Sequence, residues 1–360
     1  MAPIKILHMA DIHFGRPATG LPENLREIRR QEVRSTFSRA LSLANDENVD
    51  AVLIAGDLFD TSDTDKSTLN FLAGEFNKIS HIPVFVSPGN HDPLGSAYNE
   101  LNALDCPNLT VFGSECSVKT FPDKNFAVYG VGFDNEVVTE HLLGKIKAED
   151  ENAVNIAVVH GELVASGVYN PITETDIALS GMDYVALGHV HTHLGINKSG
   201  NTYYAYSGTL EGGGFDECDE KGVILGTVSK DGCDLKLVPI SKRKYRTIEV
   251  DVTDTATLQE IIEKVKSAVD NADDLYKIVL TGCRPERIPP DVIENEIDAF
   301  FVKTKDQTRG AYNLEELSAD YSIGGIFARN VLERMASATD DEKNDLLRAA
   351  DVVFDILNDK

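Results

Sequence analysis

No segment of this chain approaches the run of about 18 apolar residues that a membrane-spanning helix needs. The opening "MAPIKILHMADIHF" passes straight into strand-like sequence without a cleavable leader pattern, so a soluble, cytoplasmic protein with no membrane contact is expected. Cysteine is sparse. Cys106, Cys116, Cys218, Cys233 and Cys283 are scattered, odd in number and never form C-x-x-C, which argues against both a disulfide framework and a zinc ribbon. Positive charge is short too: 34 Lys and Arg face 59 Asp and Glu, for a formal charge of −25. Affinity for nucleic-acid backbone comes from basic side chains neutralising phosphates, so indiscriminate coating of nucleic acid is excluded and any DNA contact must be local.

Two local basic stretches are present. Residues 16 to 39 hold six arginines (Arg16, Arg26, Arg29, Arg30, Arg34, Arg39) against three glutamates, and "SKRKYR" at 241–246 has four basic residues and no acid. With a screening length of about 8 Å at physiological salt, such a patch acts on an acidic body only if it lies beside the substrate path. The alternatives are a solvated helix face for the first and a linker for the second.

The 360 residues, 42% apolar and 26% charged, suffice for one large domain with additions or for two domains. "IKILHMA", "AVLIAGD", "PVFVSPG", "FAVYGVG", "NIAVVHG" and "DYVALGH" read as buried strands. Between them, 27–45 and 69–79 carry apolar residues at helical spacing. This alternation predicts a layered α/β domain over 1–240, with "YYAYSGTL", "GVILGTVS" and "CDLKLVPI" as an antiparallel finish. After the basic linker, strand, Thr-capped helix, strand and a helix opened by prolines ("PPDVIENEIDAFF") predict a small α/β domain over 245–315. Two amphipathic helices follow in a tail over 318–360; such helices either pack on their own domain or dock a partner.

The chemistry concentrates at the strand ends, where α/β sheets place their ligands. "HMADIH" ends in Asp11 and His13; "LIAGDLFD" delivers Asp57 and Asp60; "VSPGNHD" offers Asn90, His91 and Asp92; "AVVHGE" supplies His160; "LGHVHTHLG" supplies His189, His191 and His193. Residues i and i+2 of an extended backbone share a side, so Asp11 with His13, and His189 with His191, each aim at one point. Each feature alone is an ordinary cap or turn. Five in succession, each with oxygen or imidazole donors, point to a metal centre.

Their order, D-x-H, G-D-x-x-D, G-N-H-[DE], H and G-H-x-H, resembles the calcineurin-like metallophosphoesterase superfamily over roughly residues 4–215. Within it, "HMADIHFGRP", "AGDLFD", "SPGNHD", the small following domain and the helical tail are similar to the DNA-repair nuclease subunits of the SbcD type, including YhaO-like proteins. The resemblance implies a four-layer α-β-β-α sandwich with a small C-terminal α/β capping domain and a helical tail. It implies one metal held by Asp11, His13, Asp57 and His191, and a second held by Asp57, Asn90, His160 and His189, with Asp57 bridging. A mixed oxygen and imidazole shell suits manganese, with iron(II) or magnesium as alternatives. Two such cations, about 3.5 to 4 Å apart, hold a hydroxide at neutral pH that attacks phosphorus in line.

In the same resemblance His91 serves as general acid toward the leaving alkoxide, a role that typically contributes about 10² to 10⁴ in rate. Asp60 orients it, although several archaeal and eukaryotic relatives have histidine at the Asp60 position. Asp92 either orients the acid from behind or caps the following turn. Arg16, Ser207 and Thr209 border the site as substrate contacts, or the glycine-rich "SGTLEGGGFDE" is simply a flexible loop. His193 has no place in the pattern and is expected off the metals, and His8 is expected to be a satisfied core histidine.

Three functions follow from the resemblance. The first is a manganese-dependent DNA phosphodiesterase. The second keeps the metals and acts on nucleotides or other small phosphoesters, which the acidic body favours. The third is a DNA-binding subunit whose C-terminal helices dock an SbcC-like coiled-coil ATPase. Related nucleases also pair as homodimers.

Overall fold

The computed structural model of the chain describes residues 2–284, 288–310 and 312–358. They form two compact units, Met1–Lys244 and Tyr245–Lys360.

In the first unit the strands are β1 (Ile4–Met9), β2 (Ala51–Ile54), β3 (Val84–Val86), β4 (Leu109–Val111), β5 (Ser117–Phe121), β6 (Phe126–Val131), β7 (Val154–His160), β8 (Tyr184–Gly188), β9 (Asn197–Ser199), β10 (Thr202–Tyr206), β11 (Gly222–Ser229) and β12 (Gly232–Pro239). The helices are α1 (Glu23–Asp46), α2 (Lys66–Lys78), α3 (Ser96–Asn102) and α4 (Glu174–Leu179). The strands build two six-stranded sheets, ordered β12-β11-β1-β2-β3-β4 and β5-β6-β7-β8-β10-β9.

Alternation along the strands explains the layering. Leu7 and Met9 of β1, with Val52 and Ile54 of β2, turn outward to Phe37 and Leu41 of α1 and to Leu72 and Phe76 of α2. Their neighbours Ile6, Ala51 and Leu53 turn inward, where they share a core with Phe85, Val128, Ile156, Val158 and Ala186. On the far face of the second sheet Tyr129, Val159, Val185 and Leu187 pack with Ile172 and Ile177. The result is the mixed α/β sandwich, helix, sheet, sheet, helix. His8 crosses the inner core: its ring nitrogens lie 2.9 Å from the Tyr184 hydroxyl and 3.2 Å from the Leu187 carbonyl oxygen. Burial lowers its pKa to about 3, so it is the satisfied, neutral core histidine expected.

The antiparallel finish needs correction. β11 is antiparallel to β1 and β12 to β11, but β10 ("TYYAY") runs parallel to β8 in the other sheet and is antiparallel only to the short β9. Composition cannot assign a strand to one of two sheets; the connection lengths and the pairing edge do so.

In the second unit β13 (Tyr245–Asp251), β14 (Leu275–Thr281) and β16 (Phe301–Asp306) make a parallel sheet beside a two-stranded pair, β15 (Cys283–Arg284) with β17 (Arg309–Gly310). Helices α5 (Leu258–Ala268), α6 (Pro290–Glu294), α7 (Leu314–Ser318), α8 (Ile323–Met335) and α9 (Asp340–Asn358) complete it. Thr257 caps α5, accepting from the Glu260 N–H while Glu260 reaches back. The proline-opened helix stops at Glu294, well short of the predicted span, because the chain must extend again for β16. Phe327, Val331, Met335, Leu346, Leu347, Ala350, Phe354 and Leu357 of the last two helices share a small core.

Phe85, buried between the sheets and stacked on Phe112 at 6.0 Å, tests the two-sheet core. Phe85→Ala is expected to destabilise the chain by about 3–5 kcal/mol, read as a lowered urea midpoint; an unchanged midpoint would mean that the sheets do not meet there.

Candidate metal centre

The parallel strands β1, β2 and β3 end on one edge, β7 and β8 on the adjoining edge of the other sheet, and the loops beyond them are laced together. Asp11 and His13 donate their backbone N–H groups to the Gly56 and Asp57 carbonyls at 3.0 Å each, and the Gly161 N–H donates to the Gly188 carbonyl at 3.1 Å. Asp11, His13, Asp57 and His189 all have positive φ (52°, 52°, 48° and 106°). Such residues persist only where their surroundings hold them, and they cluster at functional sites. The strain aims each side chain at the gap between the sheet edges.

Two glycines make that aim possible. Gly56 has φ 91°, and a β-carbon there would collide with the His160 ring; a β-carbon on Gly89 would collide with the Asp57 carboxylate. Close packing of loop on side chain therefore requires glycine at both.

The donors meet in two groups that share Asp57. In the first, His13 Nε2 lies 3.1 Å from His191 Nε2 and 3.7 Å from Asp57 Oδ2, and Asp11, His13 and His191 each present an atom within 4.8 Å of the others. In the second, Asn90 Oδ1 lies 3.0 Å from His160 Nε2 and 3.1 Å from His189 Nδ1, with Asp57 Oδ2 3.5 Å from His160 Nε2. Asp57 Oδ1 accepts from the His91 N–H at 3.0 Å, so Oδ2 is the oxygen that faces both groups.

Protons are arranged to leave lone pairs facing inward. His160 Nδ1–H donates to the Ala55 carbonyl at 2.9 Å and His191 Nδ1–H to Glu217 Oε1 at 2.8 Å, which bares both Nε2 atoms. Burial lowers the pKa of His13 and of His160; burial and the neighbouring His160 lower that of His189 to about 4. Burial and the Asp57 charge push Asp11 well above the carboxylate range. Burial works the same way on Asp57, but His160 and His13 outweigh it and hold Asp57 down.

This arrangement fits cations. Bare imidazole nitrogens face one another, two buried carboxylates stand side by side, and buried His13 Nδ1 has no aligned hydrogen-bond partner, although Asp60 Oδ1 is 3.1 Å away. The oxygen and imidazole donors suit manganese, iron or zinc in that mixture, and a divalent ion would remove the repulsion that now raises Asp11.

The other predicted residues fall as follows. His91 is exposed, edge-on to His13 at 4.8 Å between ring centroids. Its Nδ1–H donates to the Asp60 backbone carbonyl at 3.2 Å, while the Asp60 carboxylate turns toward His13. Asp92 is fully buried and accepts from the Phe59 and Gly89 N–H groups and the Tyr98 hydroxyl at 3.0, 2.7 and 2.6 Å. It is a staple joining the preceding Gly89 turn to the loop after Asp57, not a cap of the turn that follows. Burial and the Asp57 charge raise its pKa to about 7.

Ser207 and Thr209 are buried behind the His191 loop, the Thr209 N–H donating to the His191 carbonyl at 3.2 Å. His193 Nδ1–H donates to the Tyr206 carbonyl at 2.8 Å, away from both groups. Arg16 places both terminal nitrogens 3.0 Å from Glu217 Oε1.

Two residues escaped sequence reasoning. Glu217, in the glycine-rich loop, takes hydrogen bonds from His191, Arg16 and the Gly213 N–H. Burial would raise its pKa, but those three partners hold it down at about 2. Asn170, φ 47°, donates to the His160 carbonyl at 2.7 Å and accepts from the Leu142 N–H at 2.8 Å. No motif marks either; only an acid just after three glycines and an Asn before "PIT" hinted at constrained loops.

The laced strand ends, the seven inward donors and the shared carboxylate define a dinuclear type of phosphoesterase site. The calcineurin-like phosphoesterase model matches residues 4–193, just over half of the chain, and the chain belongs to that family. It is therefore a metal-dependent phosphoesterase. An uncharacterized metallophosphoesterase from Bacillus subtilis, YhaO, is 24% identical, covering 91% of this chain and 87% of its own length. A DNA double-strand break repair protein Mre11 from Sulfurisphaera tokodaii is 26% identical over 82% of this chain and 78% of its own. A component of the nuclease SbcCD from Staphylococcus saprophyticus is 28% identical over 72% of this chain and 75% of its own.

Gly89→Ala, by displacing Asp57, is expected to lower the bound divalent metal measured by elemental analysis. Gly74→Ala on α2, where a β-carbon meets open space, should leave it unchanged. Equal metal content in the two variants would contradict the bridging position of Asp57.

Proposed function

We propose that the chain is a two-metal DNA phosphodiesterase of the SbcD type. The observation that carries this reading is the single oxygen, Asp57 Oδ2, lying within 3.7 Å of imidazole nitrogens from both donor groups; the names of the relatives supply the substrate class. Asp11, His13, Asp57 and His191 hold one ion and Asp57, Asn90, His160 and His189 the other, with manganese the proposed metal. Bound there, the ions supply Lewis acidity toward phosphate oxygens and acidify a water to make the nucleophile.

The chain's own residues do the rest. Asp57, fixed by the His91 N–H and the glycine turn, keeps the two donor groups in register. His91 is tethered through its Nδ1–H to the Asp60 carbonyl; as the imidazolium it would carry a second proton on Nε2 and hand that one to the leaving alkoxide, returning to the neutral ring. Asp60 thus orients His91 by its backbone and steadies His13 by its carboxylate. Thr209 and Ser207 shape the His191 loop from behind.

In this reading residues 1–240 are the catalytic domain, 245–315 a capping domain and 318–360 a docking tail, working in the cytoplasm. No helix among the described residues is long and apolar enough to cross a membrane. The docking role is supported by apolar side chains that α8 and α9 leave uncovered, Ile323, Ile326, Val352 and Ile356. An SbcC-like coiled-coil ATPase is the proposed partner, and a homodimer the proposed assembly.

One observation favours the small-phosphoester alternative. Every arginine between 16 and 39 has a hydrogen-bond partner within the chain: Arg16 on Glu217, Arg26 on the Leu21 carbonyl and Glu23, Arg29 on Glu32 and Glu211, Arg30 on Glu27, Arg34 on Thr68 and Arg39 on the Ile240 carbonyl. Carboxylates thus already offset the charge of Arg16, Arg26, Arg29 and Arg30, which leaves less of it for a polyanion.

With manganese, the protein is expected to cleave single-stranded and end-labelled duplex DNA, faster on longer substrates and more slowly as salt rises. His91→Ala should cut the rate about 10²- to 10⁴-fold with metal content intact. Hydrolysis that ignores chain length and salt would favour the small-phosphoester reading, and no manganese-dependent cleavage of any phosphoester would contradict both.

A further inference from the structure

We infer that Glu217 is a positioning residue for the metal centre: through His191 it fixes one donor group and makes the two metal positions unequal. The inference rests on the two-metal reading above.

His191 sits on a loop beyond β8, not on the strand itself, so its ring needs an external hold. Glu217 Oε1 accepts the His191 Nδ1–H at 2.8 Å, which selects the tautomer with the lone pair on Nε2 and points that atom at His13 Nε2, 3.1 Å away. The carboxylate cannot swing: Oε1 also accepts both Arg16 nitrogens at 3.0 Å, and Oε2 accepts the Gly213 N–H at 2.8 Å. A β-carbon on Gly213 would meet the Arg16 guanidinium, so glycine there leaves room for Arg16 to lie against Glu217. The backbone of His191 is held as well, its carbonyl accepting from the buried Lys221 ammonium at 2.7 Å and from the Thr209 N–H.

The other donor group is built differently. His160 rests its outer nitrogen on a neutral acceptor, the Ala55 carbonyl, at 2.9 Å. A carboxylate behind an imidazole raises its basicity and stiffens its aim more than a carbonyl does, and removing such an outer partner typically weakens metal binding about 10- to 100-fold. The His191 position is thus the tighter one, and Arg16 acts on it through Glu217.

The test is calorimetric titration of the full chain with manganese, beside thermal melting. Wild type should bind two ions in distinguishable steps. Glu217→Ala should weaken the tighter step about 10- to 100-fold while the other shifts less than about threefold. Glu217→Gln, which keeps an acceptor oxygen without the charge, should lose less than Glu217→Ala at that step, and Arg16→Met should fall between wild type and Glu217→Ala. If Glu217→Ala binds both ions as wild type does, or if both steps weaken alike in the Ala and Gln variants along with a lower melting temperature, the assignment is overturned. A wild type that binds no manganese removes the two-metal reading itself; two ions bound equally by wild type and Glu217→Ala remove only the role of Glu217.

Discussion

The structure turns on one buried carboxylate between two sets of imidazoles. Asp57 lies at the rim of the first sheet, with His13 on one side and His160 on the other, and a second carboxylate, Asp11, lies close enough for the Asp57 charge to raise its pKa. Taking a carboxylate out of water is costly unless charge or hydrogen bonds compensate. Here the imidazoles compensate in part, and the remaining repulsion is what a pair of divalent ions would relieve. Positive φ at Asp11, His13, Asp57 and His189 and the glycines packed against His160 and Asp57 follow from the need to bring these groups together.

Around that centre the fold is organised as concentric support. The sheets deliver strand ends to one place, and backbone hydrogen bonds between the loops after β1 and β2 carry the pairing past the sheet. Behind the donors stands a further layer with its own partners: Asp92 with Tyr98, Asn170 with the His160 carbonyl, Glu217 with Arg16. Donor side chains held this way have little freedom left to lose, so a metal would meet a site already arranged.

The donor set was legible because strand-end residues are local signals. Asp11 with His13, the G-D and G-N-H turns and His189 with His191 are each read from a few adjacent positions, and parallel strands bring their ends to the same edge. Long-range choices were not legible. Whether "YYAYS" joins one sheet or the other, whether Asp60 faces His91 or His13, and what Glu217 touches across 26 positions of sequence depend on packing that no periodicity encodes. The arginines after the first motif show the same limit: their number is plain in the sequence, but which of them meet carboxylates, as Arg16, Arg26, Arg29 and Arg30 do, is not.

The central claim is that two ions share Asp57. Crystals soaked in manganese and measured at its absorption edge test it directly. Two anomalous peaks about 3.5 to 4 Å apart, on either side of Asp57 Oδ2, are predicted. A single peak, or peaks lying away from Asp57, would contradict the account.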